Sequence, residues 1–277
     1  MMFVPYVCCG DPSAEFTAKL VRALAPYSDV IELGIPFSDP LADGPAIQAA
    51  SSRALANGMN TDKALELVKK LRLDGVRTPF VFMTYYNIIY AYGTARFMQA
   101  AKEAGVQGVL VPDVPMGEDE ELEEEASKIG LYIIRLMATN TAQERAKKIL
   151  ACEAGTGSQA GGSAGSFTYL VAVAGTTGER KEAAQESVEF VKRIRKLADE
   201  SRKSGAETRN RLCVGFGVSD ANAGRRFVQA GADGVIVGSR LINMYASRIE
   251  GRTVRDEEKV ITGIVRFAQD IKKADAQ

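Results

Sequence analysis

The chain has 277 residues, 46% of them hydrophobic, and its 35 Lys+Arg balance 35 Asp+Glu to zero formal net charge. That length suits one α/β barrel or two small domains, and the balanced charge lacks the basic footprint of a nucleic-acid or anionic-membrane binder. No apolar run reaches the roughly 18 residues of a membrane span, and the absence of histidine excludes Ser-His-Asp and Cys-His nucleophilic schemes and argues against a zinc site.

The opening MMFVPYVCCGDP has no basic n-region, h-region or cleavage site, so a cytoplasmic protein is expected. From there, eight apolar β-rich runs follow one another: FVPYVC (3–8), DVIEL (29–33), PFVFMT (79–84), GVLVP (108–112), LYIIRL (131–136), FTYLVAV (167–173), RLCVGF (211–216) and GVIVG (234–238). Amphipathic segments separate them, among them 61–73 with Thr61 as N-cap, 94–104, 117–128, 141–151, 182–204, 219–230 and 254–273. Strands alternating with crossover helices predict a parallel sheet, and eight of them predict a (β/α)8 TIM barrel, an α/β fold occupying 1–277 as a single domain.

Three stretches read as bland. The acidic run within 117–128 predicts a solvated helix face, favoured by negative charge at its N-terminus. GTGSQAGGSAGS (155–166) is a flexible Gly/Ser loop that leads from a helix into a strand. It therefore belongs at the barrel's N-terminal face, away from the active-site end. Cys8, Cys9, Cys152 and Cys213 have no CxxC or metal spacing and predict reduced, mostly buried thiols.

Chemistry concentrates in VIELGIPFSDPLADGP (30–45). Side chains alternate along a strand, so Val30 and Glu32 face one way and Ile31 and Leu33 the other. With Ile31 and Leu33 against the helices, Glu32 points inward near the C-terminal mouth, where an unpaired carboxylate takes a raised pKa and works as acid and base. The competing reading is a salt bridge to an inward cation, for which Arg135 is the main candidate. The long proline-stiffened loop then ends with Pro45 suited to a first helical turn, and Asp43 folds back over the mouth as a second carboxylate. Asp39 fits a turn or capping role equally well.

Glycines mark the ends of three further strands: GTTGE (175–179), GFGV (215–218) and VGSR (237–240). Backbone N–H groups of such loops and of a helix N-terminus bind phosphate in barrels of this kind. Strand parity groups Phe167, Tyr169 and Val171, with Tyr169 either at the mouth or a core tyrosine. Tyr6, Met83, Leu110 and Phe216 add an apolar, partly aromatic wall that suits a flat ring joined to a phosphate.

IELGIPFSDPLADGP resembles, nearly residue for residue, the signature of the tryptophan synthase α subunit family, and the likeness continues through FVPYVCCGDP, MTYYN, VLVPDVP, FTYLVAVAGTTG, GFGV and GVIVGS. The resemblance implies a (β/α)8 barrel that cleaves indole-3-glycerol phosphate to indole and glyceraldehyde 3-phosphate within an α2β2 complex. It implies no cofactor in this chain, with pyridoxal phosphate in the β subunit. By motif, Glu32 and Asp43 match the catalytic carboxylates, and Tyr169 the tyrosine beside the ring. Gly178, Gly217, Gly238 and Ser239 match the phosphate-holding positions. Asp39 and Pro40 match the loop that meets the β subunit, and GTTGE opens a mobile loop in which Thr177 closes over Asp43.

The chain departs from its relatives in three places. They usually begin with a helix covering the barrel's bottom, whereas FVPYV is reached here after two residues, so a barrel lacking that helix is expected. The Gly/Ser segment is longer than usual, and Ala172 stands where many relatives have serine. Other readings are a stand-alone indole-glycerol-phosphate lyase, a non-catalytic regulatory subunit that binds the phosphate ester, and a sugar-phosphate isomerase on the same barrel.

Overall fold

The structure, a computed structural model, describes residues 1–155, 166–172, 180–203, 211–215 and 217–274. Thr177, Gly178, Phe216 and nearly all of the Gly/Ser segment lie outside the described residues. β1 (Met2–Cys8) leads through α1 (Ala14–Leu24) to β2 (Ile31–Gly34), and α2 (Pro45–Ala56) and α3 (Thr61–Leu73) precede β3 (Phe80–Met83). After α4 (Tyr86–Tyr92), α5 (Thr94–Ala104) and β4 (Gly108–Leu110) comes α6 (Glu120–Lys128), then β5 (Tyr132–Ile134) and β6 (Leu136–Ala138). α7 (Gln143–Gly155), β7 (Thr168–Val171), α8 (Arg180–Lys203), β8 (Leu212–Gly215), α9 (Ala221–Gln229) and β9 (Gly234–Val237) continue the alternation. α10 (Ser239–Ala246), a hairpin of β10 (Ile249–Glu250) and β11 (Thr253–Val254), and α11 (Glu257–Lys273) complete it.

The strands run parallel in the order β5-β4-β3-β2-β1-β9-β8-β7-β6, a single nearly closed α/β barrel. The fifth apolar run, expected as one strand, is two. Its first half registers with β4 (Gly108↔Tyr132) and its second with β7 (Leu136↔Tyr169). No straight segment serves both neighbours, so the strand breaks at Arg135, whose carbonyl still accepts the Tyr169 N–H at 2.9 Å.

Alternation along the strands sorts the apolar residues into two layers. Val4, Val30, Val81, Leu110, Tyr132, Ile134, Phe167, Cys213 and Ile236 fill the barrel's interior. Phe3, Ile31, Leu33, Phe82, Val109, Leu170, Val214 and Val235 pack outward against the helices. Tyr132 and Ile134 face in, and Arg135 at the break lines the cavity that Glu32 enters, yet it is not the salt-bridge partner of Glu32 that the competing reading named. It pairs instead with Glu123 at 2.9 Å. Glu123 also accepts the Gly117 N–H at 3.0 Å, so this member of the acidic run is structural rather than merely solvated. The rest of the run behaves as helix-start chemistry predicts: Asp119 caps α6 by accepting the Leu122 N–H at 2.8 Å.

The cap of α3 also differs from expectation. Asn60 takes the extended conformation and accepts the Lys63 N–H at 3.0 Å, leaving Thr61 as the first helical residue. Adjacent Asn and Thr are both good caps, and the one placed outside the helix wins. Of the cysteines, Cys8, Cys9 and Cys213 are buried thiols outside any disulfide, while the side chain of Cys152 is outside the described set. Among the described residues no helix is long and apolar enough to cross a membrane.

Side chains clamp neighbouring strands near the barrel floor. Asp29 accepts the Phe3 N–H at 2.8 Å, Gln107 the Phe80 N–H at 2.8 Å and Asp233 the Leu212 N–H at 2.9 Å. Each clamp satisfies a strand-entry donor that no ladder partner reaches. Asp233 also receives Arg195 of α8, whose Nε donates to the Gly231 carbonyl at 2.7 Å. Asp233→Ala, which removes two charge-assisted bonds from a largely buried acceptor, is expected to lower unfolding free energy by roughly 2–3 kcal/mol. Urea denaturation followed by circular dichroism measures it.

Candidate active site

β2 delivers Glu32 to the barrel's interior on the face of Val30, level with Tyr6 of β1 and Val81 of β3. The side chain is 2% exposed. Among the described residues no cation pairs with it, and its Oε2 has no hydrogen-bond partner. Burial first, and the charge of Asp43 second, push its pKa up to about 8. A carboxyl in this state is protonated at neutral pH and still able to ionise.

Asp43 reaches the same cavity from the loop after β2. A turn from Asp43 N–H to the Pro40 carbonyl (3.1 Å) bends the loop back, and Gln48 of α2 holds the Asp43 carbonyl at 2.8 Å. Gly44 then caps α2, and Pro45 occupies its first turn as its fixed φ favours. Burial raises the Asp43 pKa to about 6, against a hydrogen bond from the Tyr85 hydroxyl that lowers it.

Tyr85 was not singled out by sequence. Its hydroxyl accepts the Ala42 N–H at 3.2 Å while bonding Asp43, and its ring stacks on Phe37 with centroids 5.1 Å apart. The signal was its place in MTYYN, just past the end of β3. Because the Tyr85 hydroxyl favours the ionised form, Tyr85→Phe is expected to raise the Asp43 pKa further above about 6. A carboxyl carbon NMR titration reads the shift, and an unchanged midpoint would contradict it.

Two tyrosines flank the carboxylates, each seated over a glycine. A Cβ on Gly34 would overlap the Tyr6 hydroxyl, and one on Gly215 the Tyr169 hydroxyl. Glycine at those strand ends is therefore a condition for the two phenol groups to occupy their places. Burial raises both phenol pKa values, and the nearby carboxylates add to the effect.

The cavity has a volume of about 780 Å³. Tyr6, Glu32, Asp43, Met83, Leu110 and Tyr169 line it, together with Gly217, Gly238 and Ser239. Gly217 adopts φ +74°, open to glycine, and Gly238 caps α10 with no side-chain bond to its first turn. The first-turn N–H groups of α10 and the positive end of its dipole suit an anion. Asp39 and Pro40 are not part of the cavity lining. They lie at the loop tip beside Leu41, which is 95% exposed, with the Ser38 hydroxyl bonded to Asp39 at 2.5 Å.

Two carboxyls with raised pKa values, facing one cavity at the carboxyl ends of barrel strands, are the equipment of an acid–base enzyme of the (β/α)8 class. The tryptophan synthase alpha chain family matches residues 1–275, and the chain belongs to that family. The alpha chain of Methanocaldococcus jannaschii is 40% identical over 258 residues, covering 93% of this chain and 84% of that protein. That of Methanosarcina barkeri is 41% identical over 252 residues, covering 91% and 85%. Among solved structures, the chain from the Pyrococcus furiosus tryptophan synthase α2β2 complex superposes with a TM-score of 0.79 at 35% identity, covering 98% of this chain and 97% of that one. The alpha subunit of Legionella pneumophila gives 0.74 at 32% identity, covering 99% and 92%. The chain is accordingly an indole-3-glycerol-phosphate lyase of tryptophan biosynthesis. Its family needs no cofactor in this subunit, pyridoxal phosphate lying in the β subunit.

Proposed function

We propose that Glu32 and Asp43 are the acid–base pair of a retro-aldol cleavage carried out in this cavity. The indole ring lies between Tyr6 and Tyr169 and against Met83 and Leu110, with its N–H on the Asp43 carboxylate. The protonated Glu32 gives its proton to ring carbon C3, and Asp43 stabilises the positive charge that appears on the ring. Glu32, now a carboxylate, takes the proton of the adjacent glycerol hydroxyl. The bond from C3 to the glycerol carbon breaks, its electron pair returns to the ring, and the hydroxyl carbon becomes the aldehyde of glyceraldehyde 3-phosphate. Glu32 ends protonated, as it began.

The observation that carries this reading is the pairing of unequal acids in one cavity. A carboxyl with pKa about 8 supplies a proton at neutral pH, and one with pKa about 6 supplies a charge. The N-terminus of α10, with Gly238 and Ser239, and the Gly217 turn hold the phosphate. Gly178 and Thr177, assigned to the phosphate and to loop closure, and Phe216, assigned to the wall, fall outside the described residues.

The partner is the tryptophan synthase β subunit in an α2β2 complex. Asp39 and Pro40, with the exposed Leu41, form the contact on this side, and the cytoplasm, where buried thiols stay reduced, is its compartment. Incubation with indole-3-glycerol phosphate is expected to release indole, faster with added β subunit. No release in either case removes the reading, and full speed without stimulation favours the stand-alone lyase.

A further inference from the structure

The carboxylate of Asp11, in the loop after β1, is fully buried and takes no part in the proposed chemistry. It is nonetheless the meeting point of two helices. Arg53 of α2 grips it with two bonds, Nε to Oδ1 at 2.7 Å and Nη2 to Oδ2 at 2.9 Å. Tyr245 of α10 donates its hydroxyl to Oδ2 at 2.7 Å, and its ring packs on Phe16 with centroids 5.0 Å apart. Asn57, one residue beyond α2, adds a bond to the neighbouring Pro12 carbonyl at 2.7 Å.

The other ends of these two helices face the cavity. α2 begins at Pro45, directly after Asp43 and Gly44, and α10 begins at Ser239 beside Gly238. At about 1.5 Å per residue, Arg53 lies roughly 12 Å along α2 and Tyr245 roughly 9 Å along α10. One rigid, desolvated anchor therefore sets the distance between the base of the Asp43 loop and the phosphate end of the cavity. A bidentate Arg–carboxylate pair constrains orientation as well as distance.

We propose that Asp11 is a positioning residue that fixes the phosphate cradle against the acid–base loop, acting through Tyr245 on the first and through Arg53 on the second. The inference rests on the site assignment made above. Asp11→Ala leaves a half-buried arginine unpaired and is a poor probe, since breaking such a pair endangers the fold itself. The two arms are separable instead.

Tyr245→Phe removes one hydroxyl and nothing else. It is expected to raise KM for indole-3-glycerol phosphate, and the inhibition constant of inorganic phosphate, by up to about tenfold. kcat and its pH profile stay as in the parent protein. Arg53→Lys keeps the positive charge beside Asp11 but not the two-bond grip. It is expected to lower kcat and to move the acid limb of the pH profile below about 6, as the loosened loop lets water reach Asp43. Phosphate inhibition is unchanged in that variant.

If both variants lose melting temperature but keep KM, kcat, phosphate inhibition and pH profile, Asp11 is structural only and the proposal is overturned. Failure of the parent protein to cleave the substrate removes the site assignment instead. Phosphate binding to Tyr245→Phe, followed calorimetrically, still tests the α10 arm in that event.

Discussion

Glu32→Gln is expected to reduce indole release by about 10² to 10⁴ while leaving the barrel folded, because glutamine fills the same space and moves no proton. The same substitution makes the protein more stable at alkaline pH. Glu32 ionises near 4.5 in the unfolded chain and near 8 in the folded one, so its unfolded form loses protons first as pH rises. Its contribution to stability is fully present below pH about 4.5 and is lost as pH climbs through about 8. Gln has no such loss, which gives a gain of about 5 kcal/mol at the alkaline end and almost none at pH about 4.5. Urea denaturation across that range checks it. Parallel pH–stability curves for parent and variant, or near-normal indole release, would refute the assignment.

The second large effect is on Asp43. In the parent protein kcat/KM is expected to follow a bell, rising near pH 6 as Asp43 ionises and falling near pH 8 as Glu32 loses its proton. Asp43→Asn should cost about 10² in rate by removing the charge that stabilises the protonated ring. The bell should also change shape. Its acid limb disappears, and its alkaline limb moves below pH about 8, because the Asp43 charge is one of the two causes that raise Glu32. An acid limb that survives in Asp43→Asn assigns that titration to another group.

Much of this site is legible in the amino-acid order alone because strand parity is a strong constraint. Val30 and Glu32 share a face, and two flanking apolar residues decide which face is inside. Arg135, the cation the sequence offers as a partner for Glu32, lines the same cavity but is claimed by Glu123 instead, a pairing no local pattern announces. The break at Arg135 is not legible. It has no Gly or Pro to announce it and arises only because two neighbouring strands demand different registers. Tyr85 is hidden for a related reason: its role depends on a loop anchored more than forty positions earlier in the chain. The floor clamps are equally non-local, since Asp29 and Asp233 look like ordinary turn residues until the strands they cap are side by side.

The break at Arg135 and the divided pairing of β1 bear on how the chain is made. Up to Ile134 a growing chain holds the arc β1-β2-β3-β4-β5, and everything from Leu136 to Val237 belongs to the other arc. Met2 to Pro5 have no ladder partner until Gly234 to Val237 have been synthesised. For most of translation, therefore, a half-barrel carries two open strand edges and an apolar inner face, the state in which edge-to-edge association with another chain competes with closure. The last strand of the barrel is the one that seals the first.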